Sequence, residues 1–271
     1  MLSRRNFLSK VGLLSLCGTI FGKWFVPQEV NSAPKLDIGE KYHQESKHTL
    51  LNILSEAGIR GHEPPMFKKY PKAKKIKLPQ DFKYRGISVE EAIVKRRSKR
   101  NFLPKPISLE ELSCLLHYAS GITGYGRLRA APSAGALYPI EIYPVIHQVK
   151  DITPGIYHYS IEDHSLELLE EGDYRHKLSQ HCLGQKFVAE AAVAFIMTAV
   201  FARTKWKYRN RAYRYVLIEA GHIGENIYLS ATSLGLGTCA VGAFFDDQIN
   251  KELNIDGIKE AAIHITVVGK V

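Results

Sequence analysis

Arg96-Arg97-Ser98-Lys99-Arg100 is the stretch on which the reading of this chain turns. Ser88 and Glu91 predict a capping box ahead of Val89, Ala92 and Ile93, so a short amphipathic helix begins at Ser88 and carries the basic run in its last turn. Cations there suit the helix dipole, and a solvated C-terminal turn is the ordinary reading of such a run. The sharper reading is a phosphate-ester site, because Arg forks chelate phosphate oxygens and the Ser hydroxyl between them supplies a neutral donor.

Outward from this run, composition sets the frame. A chain of 271 residues with 45% hydrophobic content can bury one full core or two modest ones. The formal charge is +10, and residues 65–100 alone hold thirteen Lys/Arg against three Asp/Glu. The basicity therefore belongs to one segment and not to the whole fold.

On the C-terminal side, Ser108 with Glu111 makes a second capping box, and Leu109, Leu112, Leu115, Leu116 and Ala119 continue as a helix to Gly121. Gly121, Gly124 and Gly126 mark a loop. Ala131-Pro132-Ser133-Ala134-Gly135-Ala136-Leu137-Tyr138-Pro139 is a run of small residues between prolines, which lets backbone approach a flat ligand closely; a plain turn is equally compatible. Strand character follows at Ile140–Val149, a hairpin at Gly155–Leu169 around Glu162-Asp163, a helical turn or two at 187–192 and a buried strand at Val193–Val200. His158, His164, His176 and His181 lack acidic or Cys partners at metal-ligand spacing and read as ordinary histidines, with no metal expected.

Beyond Lys205-Trp206-Lys207-Tyr208-Arg209-Asn210-Arg211, the positions Val216, Ala220, Ile223, Ile227, Ala231 and Leu234 keep helical spacing for about six turns. Gly221 and Gly224 inside it suggest close approach of another helix, as in a dimer core. Gly235, Gly237 and Ala240 satisfy a dinucleotide fingerprint on paper, but they follow a helix and not a strand, which excludes that reading. Asp246 is placed as the cap of a short helix through Ile249 and Leu253, and Ala261–Val268 as a final strand.

On the N-terminal side, Ser32 to Gly86 is polar, Pro-punctuated and Lys-rich, with a short helix expected within 46–57 and the rest an arm wrapping a core or a linker. Lys68, Lys69, Lys72, Lys74, Lys75 and Lys77 form a stripe that reads either as a solvated arm or as a contact for an anionic surface. Thin aromatic content and the lack of a groove-reading helix argue against nucleic acid. Ser3-Arg4-Arg5-Asn6-Phe7-Leu8, followed by apolar residues Val11–Phe21, fits a twin-arginine export signal too short to span a bilayer as an ordinary helix. Val30-Asn31-Ser32 before Ala33 offers a cleavage site, and retention as an uncleaved anchor stays open. The expected division is a signal at 1–33, a Lys/Pro-rich extension at 34–85 and a main domain at 86–271, located in the periplasm or otherwise outside the cytoplasm. Cys114, Cys182 and Cys239 are an odd, widely spaced set and make no disulfide framework.

With these residues in view, the chain resembles the nitroreductase superfamily of flavin enzymes from about Tyr42 to Gly269, and within it the SagB-like dehydrogenases and azoline oxidases. The landmarks are Arg96-Arg97-Ser98-x-Arg100, Ala131-Pro132-Ser133-Ala134-Gly135, Lys207-Tyr208, Glu219-Ala220-Gly221-His222 and Gly235-Leu236-Gly237-Thr238. The resemblance implies an α+β fold with a central, mainly antiparallel sheet flanked by helices, built as a homodimer with the long helix at its core and FMN at the subunit interface. It places Arg96, Arg97, Ser98 and Arg100 on the flavin phosphate, ribityl chain and pyrimidine edge, and Lys270 where many relatives have a further basic phosphate contact. Pro132, Ser133, Ala134 and Gly135 would reach the flavin from the partner subunit, while Cys239, Ala240, Val241 and Gly242 border its reactive face. Lys207 and Tyr208 would handle the proton that accompanies hydride transfer. The implied function is an FMN-dependent oxidoreductase passing hydride between flavin and a small-molecule or peptide substrate. Reduction of nitro or quinone compounds with NAD(P)H is the enzymatic alternative, and a non-enzymatic basic binding protein is the rival of another class.

Overall fold

The computed structural model describes residues 36–50, 61–80, 82 and 86–271. The export segment, and most of the helix expected within 46–57, lie outside the described residues. The described residues divide between two units, 36–42 and His43–Val271; the features below belong to the second. Its elements run β1 (Lys74–Lys77), α1 (Val89–Lys95), α2 (Leu109–Ser120), β2 (Ile140–Ile146), β3 (Gly155–Ser160), β4 (Ser165–Glu171), α3 (Arg175–His181), α4 (Lys186–Glu190), β5 (Val193–Val200), α5 (Ala202–Tyr208), α6 (Ala212–Ser233), β6 (Leu236–Val241), α7 (Asp246–Glu252) and β7 (Glu260–Lys270).

The strands make one seven-stranded sheet in the order β1-β4-β3-β2-β5-β7-β6, with every pairing antiparallel. This is the α+β architecture that the landmarks implied. The central strand β5 is apolar without a break because both of its faces are covered. Val193, Phe195, Met197 and Ala199 enter one core, together with Leu112, Leu115 and Leu116 of α2 and Val216, Ala220, Ile223, Ile227 and Ala231 of α6. Ala194 and Ile196 enter the other, with Leu178 of α3, Val188 of α4 and Ile249 of α7. Full burial of a Val, Leu or Ile side chain contributes about 1.5–3 kcal/mol, so the first core fixes the position of α6 before any polar group is considered.

Several local expectations are corrected. Ser108 and Glu111 form a complete capping box, whereas at Ser88 only half forms: its hydroxyl accepts from Glu91 N–H, and the Glu91 carboxylate turns to Lys95 at 2.5 Å. The basic run does not lie in the last turn of α1, which ends at Lys95; it continues as extended chain bridging β6, with Ser98 opposite Thr238 and Lys99 N–H donating to Thr238 O at 2.9 Å. Asp246 is the first helical residue of α7, and Phe245 occupies the cap position with no side-chain bond. Gly224 makes room for the His264 side chain of β7, not for a helix, and a Cβ at Gly221 would meet open space.

The lysine stripe is an integral part of the sheet. Lys74–Lys77 forms its edge strand; Lys68 Nζ meets Glu260 at 2.5 Å and the Tyr143 hydroxyl at 2.8 Å, Lys69 meets Glu162 at 2.7 Å, and Lys75 meets Asp163 at 2.6 Å and Glu167 at 3.3 Å. The arm therefore wraps the core with Lys68 partly buried against it and Lys69 and Lys75 paired at the surface.

Beneath the arm runs a buried polar chain. Arg203 Nη1 pairs with Glu141 Oε1 at 2.5 Å, Glu141 Oε2 with His158 Nε2 at 3.0 Å, and His158 Nδ1 with Glu167 Oε2 at 2.8 Å. Burial would lower the His158 pKa, but hydrogen bonds and charge from both carboxylates outweigh it and raise the ring above its ordinary 6.5. Burial would likewise raise Glu141, and His158 with Arg203 instead hold it down at about 2. The imidazolium contribution is therefore complete below about pH 6.5 and lost as pH rises through its raised folded value; the Glu141 contribution is complete above about pH 4.5 and lost as pH falls toward 2. Stability measured by urea unfolding should peak between these limits, and His158→Gln should abolish the alkaline decline and cost about 3–5 kcal/mol. A variant with parental stability and pH profile would contradict this account.

Candidate functional site

The expected site residues fall into two groups attached to opposite halves of α6. The first is gathered by Tyr228, whose hydroxyl accepts Ala240 N–H at 2.7 Å and lies 3.0 Å from Ser98 Oγ. Either hydroxyl can be the donor in this second contact. Arg96 lies with Cζ 5.3 Å from the centroid of the Tyr228 ring and Nε 3.9 Å from Glu225. Arg100 stands over the Phe187 ring at 5.8 Å. The group thus places two guanidinium forks and a hydroxyl along the chain that bridges β6, and Ser98, Lys99 and Arg100 are exposed.

Cys239, Ala240, Val241 and Gly242 form the end of β6 and the residue after it. Cys239 is buried, and that burial pushes its thiol up against the pull of the Arg100 charge, so it is a neutral packing group. Beside it, Thr238 Oγ1 is buried with no protein partner, next to the bridge with Ser98. Two expected residues are otherwise engaged in the single chain: Arg97 Nη1 bonds the carbonyls of Val94 and Arg96 at 2.9 and 2.6 Å, and Lys270 Nζ bonds Glu111 Oε1 at 2.6 Å.

The second group is the 132–135 turn with the Lys-Tyr pair. Gly135, Ala136 and Tyr138 all have left-handed backbone, at φ 66°, 52° and 48°. Such crowding of positive φ in residues with side chains is costly and is found where the surroundings over-determine the shape. Tyr138 N–H donates to Ser133 Oγ at 2.9 Å, closing the turn. A Cβ added at Gly135 would come within 2.8 Å of Tyr208 Oη and 2.9 Å of Lys207 Nζ, so both atoms sit directly over this glycine. Lys207 Nζ is also 5.4 Å from the centroid of the Tyr208 ring, and that ring packs edge-on against Tyr215. Lys207 is exposed and Tyr208 half-buried.

Three residues that sequence reasoning did not assign underlie this group. Arg203 of α5 bonds Glu141, Tyr138 O at 3.3 Å and Pro65 O at 2.8 Å. Arg129 is buried with Cζ 4.4 Å from the Tyr138 ring centroid, and burial lowers its pKa to about 10, which leaves it charged. Glu219 of α6 is buried beneath Ser133, and desolvation lifts its carboxyl to about 7 in spite of both arginines. Buried charges have no periodic signature in sequence; Glu219 was visible only as part of a landmark, and Tyr228 not at all.

The residues present fit FMN. Basic forks suit a phosphate, and the Thr238 hydroxyl, buried with no protein partner, suits a polar chain. A match to the nitroreductase family model covers residues 93–270. A nitroreductase-type protein of Methanocaldococcus jannaschii is 41% identical over 184 residues, 68% of this chain and 91% of that one. The trifolitoxin-processing protein TfxB of Rhizobium leguminosarum bv. trifolii is 32% identical over 179 residues, 61% of this chain and 48% of its own length. The microcin B17-processing protein McbC of Escherichia coli is 27% identical over 178 residues, 63% of this chain and 65% of its own. A nitroreductase-type crystal structure from Anabaena variabilis superposes with TM-score 0.70 at 29% identity, covering 89% of this chain and 49% of that one. The chain therefore spans about half the length of the Rhizobium and Anabaena relatives.

The packing of the Lys-Tyr pair on Gly135 can be tested without a ligand. Gly135→Ala should cost about 1–3 kcal/mol of stability, from the left-handed backbone and the clash with Tyr208 Oη. Adding Tyr208→Phe, which removes that oxygen, should recover part of the loss in a double-mutant cycle of thermal unfolding. Strict additivity of the two changes would contradict the observed placement.

Proposed function

Since the chain belongs to the nitroreductase family and is an oxidoreductase of that family, we propose that it is an FMN-dependent dehydrogenase of the SagB-like branch acting on a peptide or small-molecule substrate. The observation that carries this reading is the pair of Lys207 Nζ and Tyr208 Oη poised over the Gly135 turn, at the positions that handle a proton in azoline-oxidising relatives. The similarity to TfxB and McbC, both named for processing a peptide, supports a substrate of that kind. When bound, FMN supplies reversible hydride acceptance and donation at N5. Arg96, Arg97, Ser98 and Arg100 would hold its phosphate, ribityl chain and pyrimidine edge, with Lys270 as a further basic contact to the phosphate. Pro132, Ser133, Ala134 and Gly135 orient the ring, and Cys239, Ala240, Val241 and Gly242 exclude water from its face. Lys207 and Tyr208 hold or hand over the proton at the substrate atom.

The site is proposed to be completed by a second copy of the chain. Leu217 and Ile218 on α6 are 54% and 55% exposed, and Val89, Ile93 and Val94 on α1 are 66%, 55% and 70% exposed. Gly221 beside the first pair faces open space. Apolar faces of this size on the element that carries both half-sites favour a symmetric partner, which would also desolvate Lys207.

NAD(P)H-dependent reduction of nitro or quinone compounds is the alternative, favoured by the 41% identity to the Methanocaldococcus protein along 91% of its length. The binding-protein rival is weakened because Lys68, Lys69 and Lys75 are paired with carboxylates. Twin-arginine export of the folded holoprotein is proposed from Arg4-Arg5 and its apolar sequel. Among the described residues no helix is long and apolar enough to cross a membrane. Fractionation of cells expressing the chain with and without the arginine pair tests the export.

Purified protein should be yellow and release FMN on denaturation, and Arg96→Ala with Arg100→Ala should yield folded, colourless protein. Tyr208→Phe should keep the flavin and lose about 10²–10⁴-fold in turnover. Rapid bleaching on anaerobic mixing with NADH or NADPH would favour the reductase. Colourless parent protein that also fails to take up added FMN would overturn both readings.

A further inference from the structure

The sheet ends on one side in a strand whose outer edge is unused. β1 pairs β4 antiparallel, with Lys74 opposite Leu168, Lys75 opposite Glu167, Ile76 opposite Leu166 and Lys77 opposite Ser165, and it is the last strand on its side of the sheet. One residue on, in the same register, Leu78 N–H donates to His164 O at 3.2 Å. Bonding to a neighbouring strand alternates along an antiparallel ladder, so Ile76 and Lys74 also face β4, and Lys75 and Lys77 turn their N–H and C=O groups away from the sheet. Among the described residues no backbone group meets these outward groups. Lys74, Lys75 and Lys77 are exposed, and Ile76 is half-buried.

The side chains decide what such an edge accepts. Lys75 is spent on Asp163 and Glu167. Lys77 reaches only a carbonyl, Asp163 O at 3.4 Å, and Lys74 meets no carboxylate among the described residues. Successive side chains point to opposite faces of a strand, so Lys74 and Lys77 put one positive charge on each face of the edge. Lysines on an edge strand block pairing with a second copy of the same edge, because like charges set opposite each other are destabilising. The same two charges favour a strand that carries carboxylates opposite them. The edge therefore discriminates by charge, against itself and against basic segments and in favour of acidic ones.

We propose that the outer edge of β1 is a docking site for an extended acidic peptide segment. The segment adds to the seven-stranded sheet as a further strand through the N–H and C=O groups of Lys75 and Lys77, and sets its carboxylates against Lys74 and Lys77. β1 and β6 are the two ends of the sheet, so the docking edge lies far from the basic loop that bridges β6, and the inference does not rest on the flavin assignment.

The test uses the full-length protein and a fluorescein-labelled peptide, Thr-Glu-Val-Glu-Thr-Glu-Val, with binding read by anisotropy and backbone hydrogen exchange followed in parallel. Added peptide should slow exchange at Lys75 and Lys77, whose N–H groups point outward, more than at Ile76, which is already bonded to β4. Binding should weaken as salt rises and should be lost when Lys replaces Glu in the peptide. A peptide methylated on all its backbone nitrogens keeps every charge and offers no donor; it should bind at least about five- to tenfold more weakly, the worth of one hydrogen bond. In the protein, Lys77→Pro removes one outward N–H and leaves the β4 ladder intact, a place where an edge strand tolerates proline. It should bind about five- to tenfold more weakly than Lys77→Gln, which loses the charge alone. If Lys77→Pro does not fold, the methylated peptide decides on the parental protein. Equal binding of the methylated peptide, or no slowing of exchange at Lys75 and Lys77, would reveal a plain polyanion patch and overturn the proposal, as would the absence of any binding. Flavin-free and flavin-loaded protein should bind the peptide alike, so each of these results leaves the flavin assignment where it stands.

Discussion

The ion pair of Arg203 with Glu141 joins segments that the chain keeps far apart. One guanidinium meets the carboxylate of β2, the carbonyl of Tyr138 at the end of the glycine turn, and the carbonyl of Pro65 in the arm. Because Arg203 sits one helical turn before Lys207, this anchoring sets where Lys207 and Tyr208 project. Through Glu141 the same charge fixes His158, and through His158 it fixes Glu167 and the lysine edge strand. Removing one partner of such a buried pair leaves an uncompensated charge and costs about 3–5 kcal/mol, so the turn, Lys207 with Tyr208 and the arm stand or fall together.

Two half-sites on one long helix follow from this arrangement. Tyr228 gathers the basic loop and the end of β6; Glu219, nine residues earlier on α6, underlies the glycine turn. Nine residues of helix separate them by about 13 Å along the axis. The helix is rigid because its apolar stripe is packed into the core beside α2 and β5, so the spacing between the half-sites is set by packing and does not depend on a ligand.

Much of this was legible in the sequence, for reasons that differ by element. Val193–Val200 could be read because a strand covered on both faces is continuously apolar, and the α6 stripe because helical burial recurs every three or four residues. Ser108 with Glu111 was read correctly because the capping box is local; Ser88 with Glu91 has the same spelling, yet Lys95 captures the carboxylate one turn on. The basic run was misplaced by its context: its shape is decided by β6, some 140 residues later, through the Thr238 bridge. The lysine arm is solvent-exposed as read, at every stripe lysine but Lys68, and what the sequence did not show is its pairing with Asp163, Glu162 and Glu260, which are distant in sequence. Lys207-Tyr208 and Ala131–Gly135 were named as separate landmarks, and nothing local stated that the first pair would sit on Gly135.

The central claim is that one flavin site is assembled from the basic half of one chain and the glycine-turn half of another. It is tested most directly by mixing two defective chains, Arg96→Ala with Arg100→Ala in one and Gly135→Val in the other, and measuring bound FMN per dimer. Each variant alone should hold none, and the mixed dimer should hold one flavin, because it contains one intact site and one site with both halves broken. A mixed dimer that holds no FMN, or a monomeric parent that binds it fully, would contradict the account.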